Sequence, residues 1–244
     1  SRSIMAKLLR MMGFGPKNAD VASAFIIKTA FRRAKDSTWP KLVEAMAPGM
    51  SEVAAGAGGS GPQAILQMVS ELEGASFAIC IGAQDAPTPK RILEDAPAVA
   101  AALAAHTVEG SVQHHVIPSY TWAWAAVPAG QAEVTMTTTT FNIVEGSFDD
   151  FVATFREESH QLRPAAEQCS IVWQATYAEE PGKATLLSIF DSGPEGPKKM
   201  GPLLPPLYNS MGLSKFMTAK QLIDTSEHGS FVKPVDSQAF AFTA

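Results

Sequence analysis

The feature that most constrains this chain is that its pattern recurs when the sequence is slid along itself by a little under half its length. Trp39, Leu42, Val43 and Met46 have the i, i+3, i+4, i+7 spacing of an amphipathic helix, and Phe148, Phe151, Val152 and Phe155 repeat it 109 positions later. Val53 is matched by Leu162 at the same offset. Each predicted helix has a start signal, Ser37 or Thr38 ahead of Pro40 in the first and Ser147 ahead of Asp149 and Asp150 in the second.

Downstream the offset becomes 108, as expected if one residue was lost from a loop, and the turn Glu73-Gly74 falls on Pro181-Gly182. The apolar, β-branched segments around those turns predict two hairpins, Ala64 to Leu72 with Ser76 to Ile81, and Ile171 to Tyr177 with Ala184 to Phe190. A Pro-Lys-basic step follows each, Pro89-Lys90-Arg91 and Pro197-Lys198-Lys199. Then Ile92, Pro97, Val99 and Leu103 match Met200, Pro205, Leu207 and Met211. Alternating strands open the halves at Phe25 to Phe31 and Val134 to Phe141. Strands with a Val-x-Pro start close them at Val116 to Trp124 and Phe231 to Phe242, with extra residues in the second half near Met217 to His228.

Strand, helix, strand, strand, helix, strand is the order of the ferredoxin-like split β-α-β unit, whose helices cover one face of its sheet and leave the other open. The fold expected is α+β: two such halves packed sheet to sheet as an intramolecular pseudo-dimer, with an N-terminal helical extension. The boundaries read from the pattern are 1–20 for the extension, 21–128 for the first half and 129–244 for the second.

Composition excludes several function classes. Cys80 and Cys169 are the only cysteines in 244 residues, too few for a disulfide framework and not in a Cys-x-x-Cys pair. No apolar run reaches the ~18 to 20 residues of a membrane-spanning helix. The glycine-rich Gly56 to Gly61 lacks the Lys-Ser/Thr ending of a phosphate loop and reads as a loop. Charge is lopsided: Arg2, Lys7, Arg10, Lys17, Lys28, Arg32, Arg33 and Lys35 stand against Asp20 alone, while the whole chain carries −5. The acidic remainder argues against nucleic acid as a partner. Ile4, Met5, Leu8, Leu9 and Met12 form an apolar stripe beside Arg2, Lys7 and Arg10, stopped by Gly13-Phe14-Gly15-Pro16. Such a segment suits a partner or a membrane surface, with Arg2, Ile4, Lys7, Leu8, Arg10 and Met11 as the contacting residues.

The second half carries a resemblance. Its strand ending Thr-Phe-Asn-Ile-Val-Glu-Gly, its helix from Phe148 to Leu162 and its hairpin Ser-Ile-Val-Trp-Gln-Ala-Thr-Tyr through Leu-Leu-Ser-Ile-Phe-Asp resemble the dimeric α+β barrel superfamily, within it the antibiotic biosynthesis monooxygenase-like group. The resemblance implies a range of activities: cofactor-independent oxygenases, haem-degrading enzymes, isomerases, and members with no established chemistry. The haem-degrading pattern is met only at Asn142. Its Trp and His have no match in Tyr208 to Phe216, and His106 lies at the end of the other half's second helix. No cofactor and no metal are therefore expected.

Candidate chemistry is sparse. His160 follows Glu157 and Glu158, which could orient it for acid-base work or form a solvated helix face with it. His114 and His115 are successive on a strand and point to opposite faces, a poor metal pair. Tyr120, Trp122 and Trp124 share one face of a closing strand, as pocket lining or as sheet packing, and Trp173 and Tyr177 pose the same choice in the second half. Two readings result. One is a non-catalytic accessory or assembly subunit, attached by its arm to a larger complex at a membrane surface, intracellular and organellar in a plastid or mitochondrion. The alternative is a cofactor-independent small-molecule monooxygenase or isomerase using Asn142, His160, Trp173 and Tyr177. The first is preferred at this level.

Overall fold

A computed structural model of the chain describes residues 18–38, 41–42, 44–46, 48, 61–68, 75–83, 97–125, 135–178, 180–191, 195–217 and 236–243. The basic segment with Arg2, Ile4, Lys7, Leu8, Arg10 and Met11 lies outside the described residues. So do Trp39, Val43 and Val53, the Glu73-Gly74 turn, the Pro89-Lys90-Arg91 step, the glycine-rich run before Gly61 and the Val232-Lys233-Pro234 start.

The elements are β1 (Ala22–Arg32), β2 (Gly61–Met68), β3 (Ala75–Ala83), α1 (Pro97–His106), β4 (Gln113–Ala123), β5 (Thr135–Asn142), α2 (Phe148–Glu158), α3 (Arg163–Cys169), β6 (Ile171–Tyr177), β7 (Lys183–Phe190), α4 (Glu195–Ser210) and β8 (Asp236–Thr243). Helical residues also occur within 41–48. The fold is mixed α+β on an antiparallel sheet. Its eight strands run in the order β5-β7-β6-β4-β1-β3-β2-β8. The run β4-β1-β3-β2 is the ferredoxin-like order of one β-α-β-β-α-β unit.

Separate sheets laid face to face were expected; the strands instead form one continuous sheet. β4 pairs with β6 from Ser119↔Tyr177 to Ala123↔Trp173, and β2 pairs with β8 from Gly61↔Thr243 to Met68↔Asp236. The physical reason is that an edge strand exposes a row of N–H and C=O groups, and edge-to-edge pairing satisfies them.

Burial explains the sequence of the central strands. All of β6 is buried, as is β7 from Ala184 onward, so neither shows the polar alternation of a half-solvated strand. On one face Trp122, Trp124, Phe141, Leu186 and Phe190 pack with Phe151, Val152 and Phe155 of α2, Ala166 and Cys169 of α3, and Met200, Leu204 and Tyr208 of α4. On the other, Ala24, Ile26, Ile117, Val172, Trp173, Ala175, Tyr177, Leu187 and Ile189 make a second cluster. These faces are called the helix side and the inner side.

The helices depart from expectation in their details. Ser147 occupies the N-cap of α2, but its hydroxyl makes no cap bond and donates to the Val144 carbonyl at 2.6 Å. The helix expected to run to Leu162 breaks after Glu158 into a 3-10 turn, Ser159–Gln161, and restarts as α3 with Pro164 in its first turn, where a missing N–H costs nothing. α4 contains Pro202, Pro205 and Pro206 and persists because Met200, Leu204 and Tyr208 bury one stripe of it. Among the described residues no helix is long and apolar enough to cross a membrane.

Ser170 ends α3 with a left-handed φ of 57°, its N–H bonding back to Ala166 and Glu167. A non-glycine residue in that conformation costs about 1–2 kcal/mol. Ser170→Gly removes that cost and loses part of it to unfolded-state entropy. The expected result is a net stabilisation of about 0.5–1 kcal/mol, read as a higher urea midpoint at unchanged slope.

Candidate functional site

Side-chain direction follows from the pairing, since residues directly opposite on neighbouring strands share a face. One row on the helix side runs Thr137↔Ser188, Ser188↔Gln174, Gln174↔Trp122 across β5, β7, β6 and β4. The next runs Thr139↔Leu186, Leu186↔Thr176, Thr176↔Tyr120. A polar stripe therefore crosses the sheet beneath α2, α3 and α4, in a layer otherwise built from aromatic and aliphatic groups.

Gln174 organises this stripe. It is fully buried, and its Oε1 accepts from Trp122 Nε1 at 3.2 Å and Trp124 Nε1 at 2.6 Å while its Nε2 donates to Ser188 Oγ at 2.8 Å. Two indoles are thereby locked by one amide. Trp122 also lies against Phe155 at 4.4 Å between ring centroids, and the Arg163 guanidinium sits over Trp124 at 5.4 Å. Phe141 meets the edge of Tyr208 at 5.6 Å.

Two members of the stripe are left over. Thr137 is 4% exposed and Thr139 3%, yet neither hydroxyl has a hydrogen-bond partner among the described residues. They share the strand face of Phe141, which puts them on the helix side. Buried polar groups are nearly always satisfied, so orphaned ones mark a place for something else, a water or a ligand atom. Ser119 Oγ is a third such group, on the inner side between its cross-strand partners Ala24 and Tyr177.

Tyr208 and Cys169 are neutral in this layer, whose one charge among the groups named is the Arg163 guanidinium over Trp124. Burial pushes the Tyr208 phenol far above its ordinary value, so it stays protonated. Burial also raises the Cys169 thiol, against a smaller lowering by Lys199. The described imidazoles lie elsewhere. His160 Nδ1 is 3.0 Å from Asn18 Oδ1 in the turn after α2, His114 is against Thr29, His106 Nδ1 is 2.9 Å from Ser37 Oγ, and His115 faces away from His114. Among the described residues no cluster of three His, Cys, Asp or Glu could hold a metal. With no imidazole facing the layer, the described residues do not fit haem.

The residues singled out from sequence are dispersed. Trp173 and Tyr177 lie together in the inner cluster, Asn142 is exposed at the end of β5, and His160 is held in its turn. That turn is also where Asn18 Nδ2 donates to the Glu157 carbonyl at 3.0 Å and Ala19 N to Ser159 Oγ at 2.8 Å. Trp122 and Trp124 are core residues and Tyr120 is half buried against Phe148. Thr137, Thr139, Gln174 and Ser188 were not anticipated. The available signal was a glutamine in the apolar run Ile-Val-Trp-Gln-Ala-Thr-Tyr and the four successive threonines from Thr137.

No protein-family model and no curated protein matches the sequence. Solved structures do match in fold. A protein of Lactobacillus acidophilus NCFM classed as a monooxygenase is 11% identical, with 81% of this chain and 90% of that chain covered and a TM-score of 0.53. A Fusobacterium nucleatum subsp. nucleatum protein classed as a monooxygenase is 8% identical over 91% and 94% with a TM-score of 0.49. One classed as a chlorite dismutase is 7% identical over 91% and 96% with a TM-score of 0.47. The likeness is one of fold. It corrects the preference for a non-catalytic accessory subunit: the L. acidophilus structure that shares this fold is classed as a monooxygenase.

The stripe makes opposite stability predictions at two positions. Gln174→Leu strips the acceptor from two buried indole N–H groups and is expected to cost about 2–4 kcal/mol. Thr137→Val and Thr139→Val delete an unsatisfied hydroxyl at nearly constant shape and are expected to stabilise by about 1 kcal/mol each. Chemical denaturation followed by near-ultraviolet circular dichroism checks both signs.

Proposed function

We propose that this chain is a cofactor-independent monooxygenase that oxidises a flat phenolic or keto-aromatic molecule in the helix-side layer of its second half. The carrying observation is the pair of buried, unpartnered hydroxyls at Thr137 and Thr139 in an aromatic-walled layer. A ligand placed there presents its ring to Trp122, Phe141, Phe155 and Tyr208 and its oxygen to the two threonines. Those donors stabilise the substrate oxyanion, the species electron-rich enough to react with dioxygen unaided. For a ring C–H beside the oxyanion, the overall change is phenol plus O2 to quinone plus water. One oxygen atom enters the ring, the other leaves as water, and the substrate supplies all the electrons. Gln174 positions the indole walls.

The same proposal takes the chain as an internal duplication folded as a pseudo-dimer. Its support is in matching details. The isolated bridges Arg33↔Thr107 and Ile143↔Met217 are related by 110 positions at both ends. Ala34 N to His106 O at 2.9 Å is matched by Val144 N to Phe216 O at 2.8 Å, and Ser37 N to Ala34 O by Ser147 N to Val144 O. Leu42 and Met46 are buried, as are Phe151 and Phe155 at an offset of 109. The joins β4·β6 and β2·β8 are the fourth strand of each half on the second strand of the other. The likeness of fold to the L. acidophilus protein spans 81% of this chain, more than either half.

An oxygen electrode with 1-naphthol, 1,8-dihydroxynaphthalene and anthrone tests the activity. Uptake is expected without added cofactor and in the presence of chelator, with one labelled oxygen from 18O2 in the product. The Thr137→Val, Thr139→Val double variant is expected to lower kcat/KM by ~100-fold or more, as loss of oxyanion donors does. Folded protein that consumes no oxygen with any of the three would sink the proposal.

A further inference from the structure

The two halves place different chemistry at matching points of their helix-side layers. With the offset of 110 anchored by the Arg33↔Thr107 and Ile143↔Met217 bridges, Phe31 stands where Phe141 stands, Thr29 where Thr139 stands, and Ile27 where Thr137 stands. Phe31 and Phe141 are both buried, as are Thr29 and Thr139. Their hydroxyls fare differently. Thr29 Oγ1 is 2.7 Å from Nδ1 of His114, its direct partner on β4, whereas Thr139 Oγ1 has no partner among the described residues. Burial, with a smaller contribution from neighbouring His115, holds the His114 pKa below the ordinary histidine value, which favours the neutral ring, and either tautomer of that ring bonds the threonine hydroxyl, as acceptor or as donor. The second hydroxyl of the pair is absent from the first half, because residue 27 is isoleucine.

We infer that the halves have diverged into one open and one closed site: Thr137 and Thr139 hold a phenolic or carbonyl oxygen in the second half, and His114 occupies Thr29 in the first. The chain therefore binds one planar aromatic ligand, not the two that its repeated fold would offer. The inference rests on the proposed location of the site, but not on oxygen chemistry. A ligand oxygen at Thr29 would have to displace an internal hydrogen bond, and the sequence offers no second threonine two positions earlier, where residue 27 is isoleucine. At Thr137 and Thr139 it breaks no hydrogen bond of either hydroxyl and relieves two orphaned groups, so the difference in affinity has two independent sources.

Calorimetric titration of the full chain with 1-naphthol, under nitrogen so that no turnover occurs, tests this. A stoichiometry near one per chain is expected. Thr137→Val with Thr139→Val should weaken binding about tenfold or more, while Thr29→Val leaves the affinity within about twofold. Far-ultraviolet circular dichroism confirms that each variant is folded. Two sites per chain, loss of binding in Thr29→Val, or no binding by the folded wild-type protein would each overturn the inference. One site with the expected threonine dependence, in a protein that then consumes no oxygen in air, would keep the inference and retire the oxygenase reading.

Discussion

A strand at the edge of a sheet needs something to bond to, and in this chain β4 and β2 are such strands for the first unit. Each meets its need in a strand from the other part of the polypeptide, β6 and β8. This pairing sets the rest. It carries Trp122 and Trp124, which lie on or just after β4, onto the helix side beneath α2 and α3, where they become walls of the layer under those helices. It also places Trp122 opposite Gln174, so that one buried amide can accept both indole N–H groups. The candidate site is therefore composite: residues from β4 complete a layer otherwise built from β5, β6, β7 and their helices. The segment ahead of β1 reaches the same half, with Asn18 and Ala19 bonded to the turn after α2.

Much of the fold was legible because strands buried on both faces announce themselves. Ile171 to Tyr177 was bounded correctly by its β-branched and aromatic run, and β7 begins one residue before the expected Ala184. The amphipathic spacing from Phe148 located α2, whose buried residues Phe151, Val152 and Phe155 are those of the stripe. α3 was missed because Pro164 after Leu162 reads as a stop, although a proline in the first turn is also a start. Periodicity alone does not choose between those meanings.

The site was less legible for a different reason. Asn142 and His160 drew attention by residue type, and Trp173 and Tyr177 as conspicuous aromatics, but whether they meet depends on face and register. One alternation along β6 separates Gln174 on the helix side from Trp173 and Ala175 on the inner side. Thr137, Ser188, Gln174 and Trp122 come from four strands and align only once three inter-strand registers are known. Threonine in a strand is ordinary, because it favours β structure. What distinguishes Thr137 and Thr139 is a missing partner, and a missing partner is a property of the folded surroundings.

That absence also bears on why such residues would persist in a packed layer. A valine fits the same space and removes the desolvation cost of an unpaired hydroxyl, so selection for stability alone favours valine at both positions. Gln174 is a different case. Its amide is saturated by two indoles and a serine, so it stabilises the walls of the layer and offers little to a ligand. Within one stripe, then, the satisfied groups hold the shape, and the unsatisfied ones are those to which the proposed ligand oxygen would bond. A fold that tolerates a desolvation cost of about 1–3 kcal/mol at each orphan would recover it on binding the proposed ligand oxygen, which would tie affinity to instability at the same two atoms.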